Sequence, residues 1–302
     1  MADSFILPMD TTDDALELIG GKGRSLAKMS NAGFNVPSGF HLTADAYRAF
    51  VAENDLQDQI VSLAKPALDN GWVTFEPASA AIQKLITSRE ISEAIASQLR
   101  QAYASLAGDP AVAVRSSANA EDLPGLSFAG QQETYLNVKG GDALLKAVRN
   151  CWASLWTAQA ISYRHENDIE QGSVAMAVVV QIMVPADVAG ILFTANPATG
   201  ERTEMIVNAS FGLGEAVVGG QVTPDTFVVD RESKNVKETM IGPKEQMIVS
   251  DGEQGTKLTD VKVDDRDQSS LSDALLNDLV ELALNVEKNY DGLPQDIEWA
   301  IV

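Results

Sequence analysis

Hydrophobic residues fall along this chain in two successive styles, first at helical spacing and then in short, unbroken apolar runs. Phe5 to Pro8 reads as a short strand, and Gly20-Gly21-Lys22-Gly23 reads as an interruption before a helix from about Arg24 to Ala32. Thr43 has the type and place of an N-cap for a helix through Phe50, and apolar spacing predicts three more helices near 55–66, 77–87 and 91–106. Ala111 to Val114 predicts a short buried strand ending at Arg115, then a polar loop from Ser116 to Gln132 and a strand from Thr134 to Val138. Leu144, Leu145, Val148, Trp152, Leu155 and Trp156 mark one face of a long helix reaching about His165. After Gly172 the pattern changes. Val174 to Met183, Gly190 to Phe193, Met205 to Ala209, Phe227 to Asp230 and Val236 to Met240 read as strands. A helix from about Leu271 to Tyr290 follows Ser270, with Asp273 at the capping-box position, and Ile297 to Val302 closes the series as a strand. This mixture predicts an α+β fold with a boundary near 184–190, a helix-rich lobe over 1–186 and a strand-rich lobe over 187–302.

Composition narrows the function. At 302 residues, 45% hydrophobic and 22% charged, the chain has the make-up of a globular protein with real cores. No apolar run is long enough for a membrane span, and Met1-Ala2-Asp3-Ser4 lacks the basic and apolar regions of a signal peptide, so a cytoplasmic location is expected. The single Cys151 excludes an internal disulfide, and one cysteine with two histidines cannot build a zinc site, so any metal must be held by oxygen. A formal net charge of -21 argues against nucleic acid, whose phosphates are bound by clustered Lys and Arg. In so acidic a chain Lys22 and Arg115 stand out as candidate anion ligands.

Candidate chemistry gathers in a few segments. Val114-Arg115-Ser116-Ser117-Ala118-Asn119-Ala120-Glu121-Asp122-Leu123-Pro124, continuing to Ser127-Phe128-Ala129-Gly130-Gln131-Gln132-Glu133-Thr134, sets an arginine at a strand end before a run of small and hydroxyl residues. Such a loop suits phosphate, which backbone N–H groups and a guanidinium can wrap. Asp296 and Glu298 alternate with Ile297 on a strand, so both carboxylates share one face, as Mg²⁺ requires of its few protein ligands. Gln181 and Met183 end an apolar strand where exposed backbone and a soft side chain suit a purine. His41 and His165 fit no carrier pattern and read as structural, as does Cys151 in register with Val148 and Leu155.

The Arg115 to Thr134 string resembles the signature of the nucleotide-binding domain shared by phosphoenolpyruvate synthase, pyruvate phosphate dikinase and rifampin phosphotransferase. Gly20-Gly21-Lys22-Gly23, Val36-Pro37-Ser38-Gly39-Phe40, Phe193-Thr194-Ala195-Asn196-Pro197, Ser210-Phe211-Gly212-Leu213-Gly214-Glu215 and Pro294-Gln295-Asp296-Ile297-Glu298-Trp299 fit the same family in order along nearly the whole chain. The resemblance implies an ATP-grasp fold, two lobes clamping ATP, with Mg²⁺ as cofactor. It implies that Lys22 and Arg115 hold the triphosphate and stabilise the transferring group, with Gly130 and Thr134 in the phosphate-side loop. It further implies that adenine lies at Gln181 and Met183, and that Glu298 takes the metal with Asp296 close by. Family members continue into a strand with a Gln-x-Arg-Pro segment, and they carry a phosphocarrier histidine and an acceptor domain. The 302 residues hold none of these, so an excised nucleotide-activating domain is expected. Pyruvate is the leading acceptor; rifampin, a phenol and a non-catalytic nucleotide-binding module are the alternatives.

Overall fold

The computed structural model describes residues 4–118, 133–252 and 254–302, so Gly130 and its neighbours in the Asn119 to Gln132 stretch lie outside the described residues. The chain divides into two compact units. The first reaches to Met183 and takes in Gln254 and Gly255; the second begins at Val184 and holds the rest. Helices and antiparallel sheets occur in both, so the fold is α+β.

In the first unit, β1 (Ile6–Pro8), α1 (Leu16–Asn31), β2 (Gly39–Leu42), α2 (Ala44–Glu53) and α3 (Gln57–Leu63) lead into a small hairpin, β3 (Ala67–Asp69) and β4 (Trp72–Thr74). Then come α4 (Glu76–Thr87), α5 (Glu93–Ala104), β5 (Val112–Ala118), β6 (Thr134–Val138), α6 (Gly141–Ser154), α7 (Ala158–Glu166) and β7 (Met176–Ile182). The main sheet has the order β1-β2-β7-β5-β6, with every pair antiparallel. Strand alternation gives it two unlike faces. Phe40, Leu42, Val112, Val114, Val178 and Val180 face a core with Phe50, Ile82 and Trp152 from α2, α4 and α6. Phe50 and Trp152 stack there with ring centroids 4.9 Å apart. His41, Ala113, Arg115, Ser117, Val179 and Gln181 occupy the other face, against which α1 packs.

In the second unit, β8 (Val188–Phe193), β9 (Glu204–Phe211), α8 (Glu215–Val218), β10 (Asp225–Asp230) and β11 (Val236–Met240) precede the hairpin β12 (Gln246–Ser250) and β13 (Thr256–Asp260). The chain then forms α9 (Asp273–Asn289) and β14 (Asp296–Ile301). The order β11-β10-β9-β8-β14 is again wholly antiparallel. One face, with Leu192, Val207, Phe227 and Trp299, packs with Leu276, Leu279, Val280 and Ala283 of α9. Where β10 begins, the fully buried Asp225 carboxylate accepts bonds from Lys244 Nζ at 2.5 Å, the Gly242 amide at 2.9 Å, and the Ser270 amide and hydroxyl at 2.7 and 2.6 Å. A buried ion pair is tolerated only when hydrogen bonds satisfy it in this way.

Several expectations are corrected. A short helical stretch from Leu16 precedes the glycine run, which was not expected; Gly20 itself has a non-helical conformation (φ +69°) and breaks the helix there, as the sequence predicts, before it resumes to Asn31. The long helix to His165 is two helices: Thr157 caps α7, its Oγ1 accepting the Ala160 amide at 3.2 Å. Ser272, not Ser270, caps α9 by accepting the Leu275 amide at 3.3 Å, so Asp273 is the first helical residue rather than a capping-box partner. Strand β5 continues through Ser116 and Ser117 to Ala118, where a loop was expected, because each residue pairs with β7.

Candidate functional site

Arg115 stands opposite Thr134 on β6 and Val179 on β7, which puts the guanidinium and the Thr134 side chain on the same face. Gln181, two residues beyond Val179, shares that face and is buried; its Nε2 reaches the Pro37 carbonyl at 3.4 Å. Its cross-strand neighbour is Gly39, where an added Cβ would lie 1.9 Å from the Val180 carbonyl oxygen. Met183 follows the end of β7 and is tied to β5 by its amide, which donates to the Ala111 carbonyl at 2.9 Å.

The glycine turn that carries Lys22 packs on this face from α1. The bend at Gly20 (φ +69°) rests on β5: Ser117 Oγ donates to the Ile19 carbonyl at 2.8 Å and accepts the Gly23 amide at 3.0 Å. His41 lies under the same turn, fully buried, with Nε2 3.2 Å from the Met9 carbonyl oxygen. Burial holds its pKa below the ordinary histidine value, against the pull of that contact. Lys22 is half-buried, and its charge extends to Cys151. Burial drives that thiol well above its ordinary range, with Lys22 acting the other way, so Cys151 stays a neutral core group, as expected. Arg115, Thr134 and Gln181, together with the glycine turn that bears Lys22, therefore come to one side of one sheet.

In the second unit, Asp296 and Glu298 project from β14 on the face away from α9, opposite Phe193 and Ile191. Surrounding protein first, and the Glu298 charge second, raise the Asp296 pKa, as expected of carboxylates two residues apart. Across the sheet, Glu298 is followed by Ile191, Asn208 and Thr226 in register, and Asn208 Nδ2 donates to Thr226 Oγ1 at 2.8 Å. Sequence reading missed Asn208; its one signal is a polar residue inside the apolar run from Met205 to Ala209. The entry to β14 is fixed by Thr194, whose Oγ1 accepts the Gln295 amide at 2.8 Å and whose amide donates to the Gln295 carbonyl at 2.9 Å. Glu215 opens α8 and accepts from Thr256 Oγ1 at 3.1 Å, an internal contact within this unit. Among the described residues no group of three His, Cys, Asp or Glu side chains could hold a metal. Among the described residues no helix is long and apolar enough to cross a membrane.

Residues 16–302 match the family model described as pyruvate phosphate dikinase, AMP/ATP-binding domain. The chain is 42% identical to a probable phosphoenolpyruvate synthase of Methanocaldococcus jannaschii over 94% of its own length and 24% of that protein's. It is 39% identical to phosphoenolpyruvate synthase of Pyrococcus furiosus, over 94% of this chain and 40% of the relative. Rifampicin phosphotransferase of Streptomyces sviceus is 41% identical over 100% of this chain and 35% of the relative. The chain thus spans well under half the length of these relatives.

Proposed function

The chain belongs to the pyruvate phosphate dikinase AMP/ATP-binding domain family, and we propose that it is the nucleotide-activating domain of a dikinase that passes a phosphoryl group from ATP through a carrier histidine to pyruvate. We read the fold as an ATP-grasp with lobes 1–186 and 187–302 holding one nucleotide, working in the cytoplasm. One observation carries this: Arg115, Thr134, Gln181 and the glycine turn of Lys22 share one face of the first sheet.

Phosphoryl transfer needs little covalent chemistry from the protein; it needs charge held in place. Arg115 and Lys22 orient the triphosphate and stabilise the charge that spreads over the transferring group, with Gly130 and Thr134 beside it. A cation fixed in a partly dry site does this better than one in water, because it has little reorganisation left to undergo. Adenine lies by Gln181 and Met183. Glu298, with Asp296 close by, holds Mg²⁺, which when bound neutralises phosphate charge. The carrier histidine is not His41, which is buried beneath Gly23, nor His165, whose ring packs 5.4 Å from that of Phe75. It belongs to a partner domain, as does the acceptor site.

Rifampicin is the second reading for the acceptor, favoured by the relative of that name, which matches the full length of this chain. The test is an assay for AMP. The 302-residue chain with Mg²⁺, ATP and pyruvate or rifampicin forms none alone. It forms AMP when a carrier-histidine and acceptor protein is added, and the acceptor that supports turnover identifies the branch. Robust AMP formation by the chain alone contradicts the proposal.

A further inference from the structure

Lys22 and Arg115 come from elements far apart in sequence, and the spacing between two cations decides whether both can reach one polyphosphate. That spacing is set where α1 rests on β5. Ser117 is fully buried, two residues beyond Arg115 on the same strand and the same face. Its hydroxyl donates to the Ile19 carbonyl and accepts the Gly23 amide, at 2.8 and 3.0 Å. Those two groups are the acceptor and donor of the ordinary i to i−4 helical bond. The hydroxyl therefore bridges the break at Gly20, taking the place of the helical bond that the non-helical Gly20 prevents. The fit is close: at Gly20 an added Cβ would lie 2.3 Å from the Ser117 carbonyl oxygen and 2.4 Å from Ser117 Oγ. Only glycine adopts φ +69° and permits this approach at little cost. Lys22 lies between the two bonded groups, so its backbone is held from both sides by a residue of the arginine strand.

We propose that Ser117 is the positioning residue for Lys22: its hydroxyl bridges the helix break at Gly20 and so fixes the Lys22 ammonium relative to the Arg115 guanidinium. The inference rests on the reading of Lys22 and Arg115 as phosphate ligands. It assigns Ser117 no contact with the nucleotide; Ser117 acts through Lys22.

The test is a double-mutant cycle on Mg²⁺-ATP affinity, measured by calorimetry with wild type, Ser117→Ala, Lys22→Ala and the double variant. Ser117→Ala is expected to weaken binding about tenfold in the wild-type background and to add almost nothing in Lys22→Ala, the signature of two residues acting as one. Amide hydrogen exchange at Gly23 is expected to speed up in Ser117→Ala without nucleotide. Ser117→Cys fills nearly the same space with a weak hydrogen-bonding group and gives the same pattern should the alanine variant fail to fold. Undiminished affinity in a folded Ser117 variant, losses that add in full, or unchanged exchange at Gly23 would each overturn the inference while leaving the ATP site intact. A wild-type chain that binds no ATP would instead remove the reading of the site, and the inference with it.

Discussion

Arg231 and Glu287 face each other in a two-point ion pair, with Nη1 and Nη2 at 2.9 and 2.5 Å from the carboxylate oxygens. Arg231 Nη1 also donates to the Thr194 carbonyl at 3.0 Å, and Thr194 in turn grips Gln295 at the start of β14. Thus α9, β8 and the strand bearing Asp296 and Glu298 are joined by one chain of bonds. Glu287 is almost fully buried, so removing Arg231 takes away its ion-pair partner and leaves a buried carboxylate with only weaker support from Thr194 and Arg202. Arg231→Ala is expected to destabilise the second unit by about 3 kcal/mol, the low end for breaking a buried pair because Arg231 is partly exposed. Urea denaturation followed by Trp299 fluorescence measures this, and a change below about 0.5 kcal/mol would contradict it.

The same pair sets an acid limit. Burial raises the Glu287 pKa, but the hydrogen bonds from Arg231 and Thr194, with the charges of Arg231 and Arg202, together outweigh it and leave a net lowering. A carboxylate depressed in the folded state contributes stability above its unfolded pKa and loses it as pH falls through the folded value. The second unit should therefore weaken in acid below the ordinary glutamate value of 4.5, and less so in Arg231→Ala. Equal acid sensitivity in both proteins would contradict this account.

His41 acts at higher pH and in the first unit. Its pKa is lowered from 6.5 by burial, so below that pH the unfolded chain takes up a proton that the folded chain resists. Stability is unaffected by this group above pH 6.5 and falls progressively below it. Thermal unfolding of the first unit between pH 8 and 5 should show the decline, and His41→Gln should flatten it. A decline of the same size in the variant would assign it to other groups.

Gly39 offers a steric test. Its added methyl would meet the Val180 carbonyl oxygen at 1.9 Å, so β2 and β7 must part beside Gln181. Gly39→Ala is expected to cost about 2–3 kcal/mol of stability, as overpacking does. At Gly214 the added carbon meets Ala189 Cβ at 3.5 Å, an ordinary contact, and Gly214→Ala serves as the tolerated control. Equal melting temperatures for the two variants would contradict the account.

Much of this was legible from the residues. Strands β5 and β7 announced themselves as apolar runs, and Arg115, Thr134, Gln181, Asp296 and Glu298 fall on regular strands whose alternation fixes their faces. What escaped depends on distant partners. Gly20 reads locally as a helix break and is one, but the helical turn from Leu16 before it, and the Ser117 hydroxyl 98 residues away that bridges the Ile19 carbonyl and the Gly23 amide across it, left no local signal. Asn208 joins the Glu298 row only through the register of β8 between them. The β3–β4 hairpin was missed because Leu68, Trp72 and Val73 are exposed, so no alternation of buried and polar positions marks it.

The central claim is that Arg115 and its neighbours bind the phosphates of ATP. Calorimetric titration of the 302-residue chain with ATP and Mg²⁺, beside Arg115→Ala under the same salt, tests it most directly. The account predicts binding in the wild type that weakens at least about tenfold in the variant, since charge-assisted bonds to phosphate are the strong ones. Equal affinity in the two proteins, or no binding to the wild type, would contradict it.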